Sequence, residues 1–531
     1  MIHRDLHQPG RSVTYVTNGL AASSHPLASQ AAIDVLKQGG NAIDAAIAAS
    51  AVLCVVEPMS TGLGGDCFVL YSPGNSSEII GLNGSGRATS AASLNWFLDQ
   101  NISEIDINSV HSITVPGALD AWIRLLEDHG TMELGEIFSP AIRYADDGFP
   151  VSPRVALDWA AGESRLQMHA GSQGVYLPGG RAPQAGEVFK SPALAGTLRT
   201  IAREGRDAFY EGPLAETMIR FLRAQGSLLS AQDFANNRPD YVTPLRTSYK
   251  GYELVELPPN GQGVTALMMM NILSGFDLEN LDPLGAERFH LEAEASRLVF
   301  QARDQFVADS QFSDVPIDHL LSARFTEELC ARIDPGRAMT DVTPMEGPVY
   351  RDTVYLTVVD RDLNAVSFIN SIYFGFGSAY VCPETGVCFQ NRGAGFRIEE
   401  GHPNCIAGGK RPMHTIIPAM LTKEGKAVCS FGVMGGAYQP VGHVHVATNL
   451  IDYGMDVQAA LDCPRGFHLG GGYGLERGVP SATAGALQNM GHEIHTPDRP
   501  LGGGQAIWID HEKGVLAGGS DPRKDGAAIG W

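Results

Sequence analysis

From Arg351 to Ser371 the chain reads RDTVYLTVVDRDLNAVSFINS, and this run limits the folds open to it more than any other. Val354 to Val359 is β-branched and apolar without interruption. Asp360, Asp362 and Asn364 then turn the chain, and Ala365 to Ile369 resume the apolar pattern, which is the signature of a hairpin. Read alone, the run says strand and hairpin.

A chain of 531 residues, 44% hydrophobic and 18% charged, can bury a large core. Its formal net charge of -21 repels phosphate backbones and no basic, aromatic-rich run offsets it, which argues against nucleic acid as a partner. Residues 1 to 20 carry charges and a Pro-Gly pair with no continuous apolar stretch, so they do not read as a secretory signal, and a cytoplasmic location is expected. The longest apolar run, Ala45 to Val56, is too short to span a bilayer and predicts a buried helix rather than a membrane contact. Eight cysteines without CxxC spacing suggest neither a zinc cage nor a disulfide framework, but reduced and mostly buried thiols.

Leu27 to Gln38 and Ala42 to Val56 read as two helices broken at Gly39-Gly40. Cys67 to Tyr71 and Ile79 to Leu82 read as short strands, and about Ala118 to Arg223 as a helical layer. Ala286 to Ala308 predicts a long amphipathic helix with Glu287, Glu294, Arg297 and Asp304 in water. After Tyr350 short strands alternate with glycine, interrupted by a helix over roughly Tyr438 to Tyr453. Thr340 to Arg351, TDVTPMEGPVYR, is the most loop-like stretch and runs up to Asp352 and Thr353.

Several long motifs stand in one order along nearly the whole chain: GGNAIDAAIAASAVLCVVEPMSTGLGGDCFVLY, NGSGRAT, HSITVPGALDAW, LPPNGQGVTALMMMNILSGFDL, GVM before Gly435-Gly436, and the closing SDPRKDGAAIGW. Together they resemble the γ-glutamyltranspeptidase family. NSIYFGFGS and FQNRGAGF are typical of its branch of acylases and unassigned members. The resemblance implies an α+β fold, the four-layer αββα sandwich of N-terminal-nucleophile hydrolases. It also implies one interwoven unit that cuts itself between Asp352 and Thr353, giving a large subunit 1–352 and a small catalytic subunit 353–531 that remain together as a heterodimer, with room for further dimerisation.

In that family the residue matching Thr353 is the nucleophile. A neutral threonine hydroxyl needs a base, and a new N-terminal α-amine with a pKa near 8 supplies one. Ser371 falls where the family has a second, supporting threonine. Gly435 and Gly436 match its oxyanion-hole glycines, placed before a helix start where backbone amides face outward.

The family's acyl-pocket residues are altered. Gly395 replaces the acidic partner of the glutamyl amine, Tyr373 and Arg392 replace asparagine and glutamine contacts, and His414 and Thr415 replace two carboxylate-binding serines. The carboxylate-binding arginine aligns near Ser85, with Arg87 two residues on. Loss of the ammonium partner beside retained cations points to a small N-acyl amide whose acyl group carries a carboxylate without an amine, of glutaryl or oxamate type. A true γ-glutamyltransferase or glutathione hydrolase is the first alternative, and an uncleaved, inactive scaffold the second. Neither a cofactor nor a metal is called for. His443 and His445 would diverge by about 200° on a helix, and neither a GxSxG nucleophile elbow nor a phosphate loop is present.

Overall fold

The computed structural model describes residues 10–74, 76–340, 342, 353–470 and 472–531. Asp352 and most of the predicted loop before it, 341 and 343–351, lie outside the described residues.

Val354–Val359 and Ala365–Ser371 pair antiparallel with Val354 opposite Asn370 and Val359 opposite Ala365, the hairpin expected from the sequence. They are the third and fourth strands of a seven-stranded antiparallel sheet ordered Ala527–Gly530, Leu20–Ser23, Val354–Val359, Ala365–Ser371, Asp66–Ser72, Ile80–Gly84, Asp240–Val242. A second antiparallel sheet of seven runs Thr14–Val16, Val515–Ser520, Gly503–Asp510, Lys426–Met434, Ala419–Lys423, Tyr252–Glu256, Leu245–Tyr249. Both sheets draw strands from either side of Thr353.

Period-two alternation explains why the hairpin is apolar on both faces. Val354, Leu356 and Val358 face a helical layer that includes Pro26–Lys37, Ala42–Val56, Ala118–His129 and Leu134–Asp147. Tyr355 and Val359 face the other sheet and join Phe68, Ile369, Ile416, Met434 and Ile507 in the core between the two. On the far side of the second sheet lie Gly263–Leu273, Ala286–Phe306 and Gln439–Ile451. The order is helix, sheet, sheet, helix, the αββα sandwich the resemblance implied.

Ala42–Val56 is buried along its whole length, capped by Asn41 whose side chain accepts from the N–H groups of Ile43 and Asp44 while Asp44 answers the Asn41 N–H. No helix among the described residues is long and apolar enough to cross a membrane. Six of the eight free cysteines are buried, with Cys330 and Cys405 half-buried.

The helix Ala286–Phe306 differs from expectation. Glu294 is fully buried rather than wet, because a second side of this helix is covered by Tyr473, Leu475, Val479 and Leu487. Its carboxylate accepts from Arg297 at 2.9 Å and from the N–H of Met339 at 2.6 Å.

Candidate active site

Thr353 immediately precedes the strand Val354–Val359, and by the strand's alternation its side chain shares the face of Tyr355, toward the opposing sheet. The hairpin register puts Ser371 directly across from it, and the two hydroxyl oxygens are 3.1 Å apart, both buried. Ser371 Oγ accepts from the N–H of Tyr373 at 2.9 Å and from Arg392 Nη2 at 3.3 Å. Two donors thus converge on the Ser371 oxygen that lies beside the Thr353 hydroxyl.

Tyr373 holds a left-handed φ of 81°, rare for a bulky residue and a marker of strain of order 1–3 kcal/mol. That turn aims its N–H at Ser371 and presents its ring to Arg392, whose guanidinium carbon lies 3.9 Å from the ring centroid. Arg392 is fully buried, not a surface ion pair, and also donates to Thr415 Oγ1 at 2.8 Å.

His414 is not the cation the sequence suggested. Its Nδ1 accepts from the N–H of Ile416 at 3.2 Å, so Nε2 carries the proton and meets Asp66 Oδ2 at 2.9 Å. Burial, reinforced by the nearby Arg392, lowers its pKa to about 4 despite Asp66, so the ring is neutral near pH 7. Asp66 also accepts from the N–H of Gly86 at 2.7 Å and from Gln390 at 2.8 Å. His414 therefore braces the site from behind.

Arg87 has other partners. Its guanidinium donates to Asp240 at 3.2 Å and to the Gly409 carbonyl at 3.1 Å, with Asp309 at 3.9 Å. Ser85, beside it, accepts from Asn260 Nδ2 at 3.1 Å. These contacts tie Arg87 into a structural ion-pair group that also includes Arg411.

Gly435 and Gly436 follow the strand Lys426–Met434 with φ of 130° and 61°. A Cβ on Gly435 would come within 3.0 Å of the Gly502 Cα, so the turn has room only for glycine. The Gly435 carbonyl accepts from the N–H of Tyr438 at 3.1 Å, which turns the N–H of Gly436, on the other side of the same trans peptide, away from the helix start. A cavity of about 270 Å³ opens beside these groups, lined among others by Tyr373, Gly395, Met413, Ala437, Arg303 and Asp304. Gly395 thus borders the cavity without a side chain.

Sequence reasoning missed Asp66, Gln262 and Arg303. Gln262 was visible only as part of the quoted LPPNGQGV motif, and its buried amide links Arg303, Thr415 and Gly436. The HxH histidines do diverge: His443 Nδ1 meets Glu256 at 2.7 Å and His445 Nδ1 meets Glu292 at 3.1 Å. Among the described residues one trio, His290, Glu294 and His492, brings possible metal donors together. Its groups answer one another and the backbone, with His290 Nδ1 2.8 Å from His492 Nε2 and His290 Nε2 2.7 Å from the Asp334 carbonyl.

The family model for γ-glutamyltranspeptidase matches residues 28–531. The chain is 38% identical to the glutathione hydrolase-like YwrD proenzyme of Bacillus subtilis, over 97% of this chain and 98% of that one. It is 34% identical to the oxamate amidohydrolase proenzyme of Klebsiella pneumoniae, over 97% and 99%. Among solved structures, cephalosporin acylase from Bacillus halodurans superposes with a TM-score of 0.93 at 40% identity, covering 100% of this chain and 99% of that one. A buried hydroxyl pair where the inner hairpin begins and agreement along the whole chain lead to one conclusion: this chain is an enzyme of the γ-glutamyltranspeptidase family, with the fold of the N-terminal-nucleophile hydrolases.

Proposed function

We propose that the chain is an autoprocessing amidase that cuts itself between Asp352 and Thr353 and then hydrolyses a small N-acyl amide through an ester on Thr353. The observation that carries this reading is the 3.1 Å contact between Thr353 Oγ1 and Ser371 Oγ, with Ser371 loaded by two donors from behind. A donor on the nucleophile's oxygen favours its alkoxide character, and the α-amine released by the cut takes the hydroxyl proton. Relatives described as proenzymes support a cut of this kind.

In turnover, Thr353 Oγ adds to the amide carbonyl while its proton passes to the α-amine. The N–H groups of Gly435 and Gly436 hold the resulting oxyanion. Collapse breaks the C–N bond, the leaving amine takes the proton, and water repeats the sequence on the ester to release the acid and restore Thr353. Fragments 1–352 and 353–531 stay together as a heterodimer, because each contributes strands to both sheets.

For the acyl group we favour a carboxylate without an α-amine. Gly395 brings no acid to the cavity wall, and the buried Arg392 supplies positive charge behind Tyr373. A second reading, glutathione hydrolysis, follows from the names of several relatives. Mass spectrometry of the purified protein tests the cut: a small fragment beginning Thr-Val-Tyr is expected, and intact chain after prolonged incubation would overturn the reading. Release of glutamate from glutathione at a kcat/KM above that for any glutaryl or oxamate-type amide would favour the second reading.

A further inference from the structure

We propose that Gln262 is a positioning residue that holds the oxyanion-binding turn in shape across the junction of the two fragments. This rests on the assignment of Gly435 and Gly436 as oxyanion donors under the proposed function, and it ties a residue of the large fragment to a turn of the small one.

Gln262 is fully buried and precedes the helix Gly263–Leu273. Its Oε1 accepts from Arg303 Nη1 at 3.0 Å. A guanidinium has only donors, so the carbonyl end of the side-chain amide must face Arg303 and the NH2 end must face the opposite way. There the two hydrogens meet two backbone carbonyls of the small fragment, Thr415 at 2.7 Å and Gly436 at 2.9 Å. The backbone is pinned as well: the Gln262 N–H donates to the His414 carbonyl at 3.0 Å, and the His414 N–H to the Asn260 carbonyl at 2.8 Å. Side chain and backbone therefore have one arrangement that satisfies every partner.

The consequence falls on Gly436. A glycine with φ of 61° has wide freedom, and only its two flanking peptide planes can fix where its N–H points. Tyr438 holds the plane before it through the Gly435 carbonyl, and Gln262 joins the N–H of Gln439 in holding the plane after it through the Gly436 carbonyl. The same amide holds Thr415, whose hydroxyl accepts from Arg392, which in turn donates to Ser371 beside Thr353. One side chain thus sets the nucleophile's support and the oxyanion turn relative to each other. Arg303, which orients it, also lines the cavity.

Misplacing a preorganised donor weakens transition-state binding without weakening ground-state binding, and an error near 1 Å costs on the order of 100-fold. Gln262→Glu puts a carboxylate oxygen against two carbonyls, and Gln262→Met removes both donors at similar size. In purified, self-cleaved heterodimer assayed on glutaryl-p-nitroanilide, each is expected to lower kcat by about 10- to 100-fold with KM within about threefold. Inhibition by a glutarate-like boronic acid, which forms a tetrahedral adduct, should weaken by a similar factor, while inhibition by glutarate should not change. A kcat equal to wild type in both variants, or a loss confined to KM, overturns the proposal. So does failure of both variants to fold and cleave, which would make Gln262 a residue of assembly alone. A wild-type enzyme that turns over no anilide would instead overturn the proposed function on which this rests.

Discussion

Ser371 Oγ lies 3.1 Å from Thr353 Oγ1 at the cross-strand position set by the register that pairs Val354 with Asn370. The hairpin itself aims one hydroxyl at the other. Behind Ser371, the turned N–H of Tyr373 and the buried Arg392 hold its oxygen in place.

Thr353→Ala is expected to remain a single chain of 531 residues without amidase activity, because it removes the hydroxyl needed for both reactions. Thr353→Ser keeps the hydroxyl and should cleave and retain activity below wild type. Denaturing gels and mass spectrometry read the cut, and a processed, active Thr353→Ala protein would move the nucleophile elsewhere.

Ser371→Ala removes the hydroxyl beside Thr353 and leaves the N–H of Tyr373 without this acceptor in a buried setting. An expected fall of about 10- to 100-fold in kcat, with KM little changed, corresponds to roughly 1.4–2.7 kcal/mol in the transition state. Ser371→Thr keeps the hydroxyl and should recover most of it. Equal kcat for wild type and Ser371→Ala would remove Ser371 from the chemistry.

Gly436→Val forces a β-branched residue to a φ of 61°, which tilts the turn. In protein that has already cleaved, a loss of about 100- to 1,000-fold in kcat is expected, the usual cost of one oxyanion donor. Wild-type turnover in this variant would place the oxyanion elsewhere.

Glutaryl-p-nitroanilide and γ-glutamyl-p-nitroanilide differ only in the α-amine. With Gly395 at the cavity wall and Arg392 behind Tyr373, the glutaryl form should have the higher kcat/KM. A tenfold advantage for the γ-glutamyl form, about 1.4 kcal/mol, would reverse this account of the pocket. Glu104 or Asp304, the acids that line the cavity, would then be the residues to substitute.

His414 has a folded pKa near 4, below its ordinary 6.5, because burial disfavours its charged form. Between these values the unfolded chain binds the proton and the folded protein does not, so this contribution to stability is complete above about pH 6.5 and is lost as pH falls toward 4. His414→Gln does not titrate. The Tm advantage of wild type over this variant should therefore be larger at pH 8 than at pH 5, and an advantage that grows on acidification would show that His414 is charged in the fold.

Much of the site was legible in order along the chain. The apolar run from Val354 announced a strand, the turn at Asp360 to Asn364 announced its partner, and that pairing alone puts Ser371 opposite Thr353. Helix Ala42–Val56 and the glycine pair before a helix were equally readable, because helix length, caps and turns depend on neighbours in sequence. The protonation of His414, the burial of Glu294 and the bridging by Gln262 were not readable. His414 meets Asp66 348 positions away, and Gln262 meets Gly436 174 positions away. Periodicity tells which face of an element is covered but not by what, and charge state follows from that cover: a histidine read as a cation becomes neutral once two sheets close over it. The sequence by itself determined the strands, the helices and the order of the hydroxyls along them. Stacking of the two sheets decided which distant groups meet, and with them the direction of each hydrogen bond at the site.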